Sequence, residues 1–142
     1  MISRSLLGQL PVRAVTGAFV LHSGLGKRGA DRETAERLHG WASSTYPVLR
    51  RIDAQRFAKL LSAGEIAVGA VLLAPFVPAA VAGLALTGFA GGLLGLYAKT
   101  PGMRQEGSIW PTDEGIGLAK DVWLLGIGLS LLIDGVPRSD HR

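Results

Sequence analysis

The stretch Phe76–Ala98, FVPAAVAGLALTGFAGGLLGLYA, decides how the chain is read: its 23 residues include no charged side chain, and Lys99 ends the run. A helix rises about 1.5 Å per residue, so such a run reaches across a hydrocarbon core of about 30 Å. The core helix of a small water-soluble domain is rarely this long and apolar on every face. The segment is therefore expected to cross a membrane, with the rest of the chain packed around it.

Pro75 and Pro78 bracket a short turn immediately before this segment, so the preceding apolar run, Phe57–Ala74, reads as an antiparallel neighbour with Glu65 inside it. Farther upstream, Leu6–Gly26 forms a weaker candidate span, interrupted by Arg13 and His22 and with Pro11 near its start. Downstream, Ile116–Asp134 reads as the last span. Its uncharged part, Val122–Ile133, is only 12 residues long, so it crosses only with Lys120 and Asp121 in the membrane or at its edge. Thr100–Gly117, rich in Gly, Pro and polar residues, reads as a loop, with Tyr97 and Trp110 anchoring its membrane side.

Residues 31–46 suit a short helix. Asp31 is its cap, Arg32/Glu36 and Glu33/Arg37 are i,i+4 pairs, and Ala35, Leu38 and Ala42 share a face. With Trp41 and Tyr46 alongside, it reads either as an interfacial helix with its aromatics at headgroup level or as a solvated connector that Pro47 ends. The expected fold is an all-α membrane protein: one domain over residues 1–142, a four-transmembrane-helix bundle, multi-pass in the cell membrane. Of the 15 Lys and Arg residues, 11 fall on the side of the two long connections, while Arg4, Arg13, Arg138 and Arg142 fall on the other. Positive-inside counting then puts the connections in the cytoplasm and the termini outside.

Composition narrows the chemistry. A hydrophobic fraction of 48% with 20 glycines suits closely packed membrane helices. The net charge of +4 is read as basic flanks beside anionic lipid rather than as a nucleic-acid surface. The chain has no cysteine, which excludes dithiol redox chemistry, thiolate metal sites and disulfides for the chain acting alone. No cleavable signal peptide stands out, since Arg13 interrupts the first apolar run and no small-x-small site follows it. His22, His39 and His141 lack metal-ligand spacing, and no phosphate loop, HExxH or nucleophile elbow occurs.

Two sets of residues remain as candidates. Ala79, Gly83, Thr87, Gly91 and Gly95 recur every four residues along the central segment, with Gly88 and Gly92 in a parallel row. This small face is read as packing within the chain or against a partner. The second set is the intramembrane charges, which are costly in a bilayer and so normally pair or serve a function. Glu65 is the expected centre, with Lys120 its first partner and Arg13 its second, and Asp121, His22 and Lys27 completing a polar cluster. Such a cluster either fixes helix register or forms a proton relay or a site for a polar headgroup such as a quinone.

Several short motifs, in order, resemble the DoxX family of integral membrane proteins, particularly its actinobacterial type. They are Arg13, Gly17, His22, Gly24 and Lys27 in span one, then Glu65-Ile66, Gly69 and Leu72-Leu73 in span two. Pro75-Phe76-Val77-Pro78, Ala82-Gly83-Leu84, Leu96-Tyr97 and Thr100-Pro101-Gly102 continue the series. Ala119-Lys120-Asp121-Val122 and Leu131-Leu132-Ile133-Asp134 close it. The resemblance implies a four-helix membrane protein loosely associated with respiratory or sulfur redox chemistry. Family membership alone assigns no enzyme activity.

Two functional expectations result. One is a non-catalytic membrane subunit, without independent activity, that packs through the small face against protein partners of a redox or cell-envelope complex or against its own copies. The other is a quinone- or lipid-interacting redox protein that uses the buried charged cluster.

Overall fold

The computed structural model describes residues 4–113 and 115–135; Arg138, His141 and Arg142 lie outside them. The described chain is all-helical: α1 (Arg4–Lys27), α2 (Arg32–Thr45), a 3-10 turn (Pro47–Arg51), α3 (Ala54–Leu73), α4 (Ala79–Lys99), α5 (Ile116–Ala119) and α6 (Val122–Gly135).

Local chemistry sets the boundaries. Asp31 caps α2 by accepting from the Thr34 amide at 2.8 Å, and Asp53 caps α3 by accepting from Arg56 N at 2.7 Å. Hydrogen bonds from Thr34 hold the exposed Asp31 carboxyl below its ordinary range. The stability this cap adds is present above the unfolded-state value and fades as pH falls through the lowered one. Pro78 occupies the cap position of α4, so the central helix starts at Ala79 rather than Phe76, and Pro75–Val77 form the turn. The last apolar run breaks at Lys120–Asp121, where α5 ends and α6 begins.

The long helices pack as two antiparallel pairs, α1 with α3 and α4 with α6, and glycines set each contact. Gly17 of α1 lies against Gly69 and Leu72 of α3, while Gly24 lies against Glu65 and Ile66. A Cβ at Gly69 would stand 2.6 Å from the Leu21 amide nitrogen, so the two backbones touch there. Ser62 Oγ fastens the same pair by donating to Gly24 O at 2.8 Å. In the second pair, Gly83 and Thr87 of α4 meet Gly128 of α6, and Gly135 meets Ala80. The two pairs meet each other much less closely, around a small core of Leu72, Ala82, Leu86 and Leu131.

The long helices bury several polar groups beside an apolar core and expose large apolar side chains. Arg13, Thr16, Ser62 and Glu65 are buried, whereas Phe19 (76% exposed), Trp123 (67%) and Ile133 (73%) face outward. Among the described residues, two runs are both long and apolar enough to cross a membrane: Ala79–Lys99, and Ile116–Gly135, which spans α5 and α6. At 24 and 20 residues, α1 and α3 are as long, but their ionisable groups keep them outside that class.

Interleaved backbones predict that Gly69→Val costs about 1–3 kcal/mol through overpacking, read as a lowered unfolding midpoint in detergent. Gly26→Ala, whose Cβ enters open space, is expected to leave the midpoint unchanged.

Candidate functional site

A cavity of about 280 Å³ opens in the loose seam between the helix pairs, at the end where α2 crosses them. All the helices contribute to its wall, which is mainly apolar; Phe19, Phe57, Leu61, Phe89, Leu93 and Leu96 form much of it. The ionisable groups on its lining are Lys27, Glu65 and Asp121.

Glu65 is 4% exposed, and Lys27 Nζ reaches its Oε2 at 3.0 Å while also donating to Ser23 Oγ at 2.7 Å. The partner of Glu65 is therefore Lys27, not Lys120 or Arg13. The reason is register: Gly24 lies opposite Glu65, and Lys27 follows one helical turn later. Lys120 is exposed. Neighbouring helical positions point apart, and it is Asp121 that faces the cavity. His22 is also exposed, on the outer side of α1.

Arg13 serves the opposite end of the pair. It lies 11 residues from Gly24, about 16 Å along the helix, and is 2% exposed. Its Nε donates to Leu72 O at 2.9 Å and its Nη1 to Val77 O at 3.0 Å. Nη2 donates to Val71 O at 3.0 Å and to Ala74 O at 2.9 Å. The last carbonyls of a helix lack intrahelical donors, and Pro78 supplies no N–H. A guanidinium has donors for all four acceptors, and its positive charge suits a helix C-terminus. Arg13 is a structural clamp and takes no part in the cavity.

The helix over the cavity packs on the bundle rather than standing free as a connector. Leu38, Trp41 and Ala42 of α2 line the cavity. Trp41 Nε1 donates to Thr100 Oγ1 at 2.7 Å, and Tyr46 OH donates to Gly92 O at 2.7 Å, so both aromatics tie α2 to α4. Behind them, the His39 ring packs on Phe57 with centroids 5.5 Å apart. In the following loop, Tyr97 OH donates to Ile109 O at 2.6 Å, while Trp110 is exposed.

The small face of α4 divides in use. Ala79, Gly83 and Thr87 lie toward α6 and Gly95 receives Tyr46, whereas Gly88, Gly91 and Gly92 are exposed, with open space where a side chain would stand. Among the described residues, no group of His, Asp and Glu is placed to hold a metal ion.

Sequence reasoning missed Ser23, Ser62 and the Lys27–Glu65 pairing. A usable signal was present: Arg13, Thr16, Gly17, Val20, Gly24 and Lys27 share one face of α1, as Ser62, Glu65, Gly69 and Leu72 share one face of α3. No protein-family model, curated protein or solved structure matches the chain.

Replacing Arg13 by Met removes hydrogen bonds to four carbonyls, of which Ala74 O keeps the Val77 amide, and is expected to cost about 3 kcal/mol in thermal unfolding. Lys27→Met leaves Glu65 buried without a cation and is expected to cost about 3–5 kcal/mol. Glu65→Gln is expected to cost less, since Lys27 is already 27% exposed and turns to water. The double variant should recover most of the Lys27→Met loss, which a double-mutant cycle measures.

Proposed function

We propose that the chain is a multi-pass integral membrane protein whose cavity holds a small amphipathic molecule. Its spans are α1, α3, α4 and the α5–α6 run. The distribution of side chains supports the membrane part: outward Phe19, Trp123 and Ile133 suit contact with lipid, and buried Arg13 and Glu65 suit a protein interior. The observation that carries the ligand part is the cavity, whose apolar walls accept a hydrocarbon body while Lys27, Glu65, Asp121 and Ser23 supply polar contacts. A quinone has that build, and so does a lipid-derived amphiphile. The resemblance to DoxX proteins accords with this reading and is itself a proposal about ancestry.

A second reading, a packing subunit of a larger membrane complex, is favoured by the exposed Gly88, Gly91 and Gly92 on α4. One preparation tests both. In native-lipid nanodiscs, mass spectrometry should find an amphiphile near one per chain in the wild type and little in Leu93→Trp, which fills the cavity. Equal recovery from the two would overturn the ligand reading. A wild-type preparation that runs alone, without copurifying protein or a second copy, would remove the subunit reading.

A further inference from the structure

The geometry points to a lipophilic monocation, a protonated amine or quaternary ammonium on an apolar body, as the class of molecule the cavity takes. This rests on the ligand-cavity reading above and names its substrate class.

The argument is one of charge. The cavity lining carries two carboxylates, Glu65 and Asp121, and one ammonium, Lys27. That ammonium is committed: it bonds Glu65 Oε2 and Ser23 Oγ. Asp121, by contrast, makes no side-chain hydrogen bond or ion pair among the described residues. Among the described residues no further cation lines the cavity: Lys120 and His22 are exposed, and Arg13 is spent on carbonyls near the Pro75–Pro78 turn. Asp121 is therefore left as a half-buried carboxylate without a cation partner on a mainly apolar lining, where an unmatched charge is costly.

A ligand of opposite sign supplies the compensation, and its apolar body occupies the rest of the space. Phe19, Phe57 and Phe89, all on the lining, offer aromatic rings that also attract cations. An anion meets like charge at Asp121, and a neutral amphiphile leaves that charge unmatched.

A matched series tests this: 4-phenylbutylammonium, 4-phenylbutanol and 4-phenylbutanoate share a body and differ in head charge. Trp41 lines the cavity and reports binding by its fluorescence in the full-length protein with the exposed Trp110 and Trp123 changed to Phe. The ammonium is expected to bind at least tenfold more tightly than the alcohol, with the carboxylate weakest. Asp121→Asn should abolish the preference and Asp121→Glu should keep it. If all three bind alike, or the alcohol binds best, the monocation inference fails while the ligand cavity stands. If none binds, both fail. The wild-type series alone decides the matter should the Asp121 variants not fold.

Discussion

A buried guanidinium with carbonyl partners, rather than a counterion, holds one end of this structure together. Arg13 sits where α3 has run out of internal donors and where Pro75 and Pro78 turn the chain toward α4. Its four hydrogen bonds join the first helix to the hairpin formed by the next two long ones, fixing how far α1 slides along α3. Every contact farther along that pair inherits this register, including Gly17 on Leu72, Gly24 on Ile66 and finally Lys27 on Glu65. A single charge thus positions another at the far end of the helix.

The cavity follows from an imbalance in packing. Within each antiparallel pair, glycines let the backbones touch, whereas between the pairs larger side chains such as Phe57 and Phe89 stand in the seam. Volume appears where glycine contacts stop and aromatic contacts begin. α2 then covers this gap using hydrogen bonds from its own aromatics, which anchor it by direction rather than by apolar area alone.

Much of the helical layout was legible in the sequence because prolines, caps and apolar runs act locally. Asp31 and Pro47 bound α2, and Pro75–Pro78 mark the turn between α3 and α4, whatever the rest of the chain does. The length and apolarity of α4 were equally plain, whereas α1 and α3 carry ionisable groups that face inward. The pairing of charges was not legible from depth alone. Depth made Lys120 a reasonable partner for Glu65, but its side chain turns outward; Arg13 shares the right face of α1 and lies 11 residues from Gly24, at the other end of the pair. The same limit applied to α2: its aromatic content was visible, but the Thr100 and Gly92 acceptors that draw Trp41 and Tyr46 inward lie far away in sequence.

The contact between Tyr46 and α4 has a consequence at the level of sequence change. The phenol occupies the volume where a side chain at position 95 would begin, and its hydroxyl is anchored on the carbonyl of Gly92. Neither position is therefore free to drift by itself. A larger residue at 95 meets the far end of the tyrosine side chain, which gives up its bond to the Gly92 carbonyl in making room. The two sites, 49 residues apart in the chain, are therefore coupled: a side chain added at 95 is felt at 46 through the phenol's anchor.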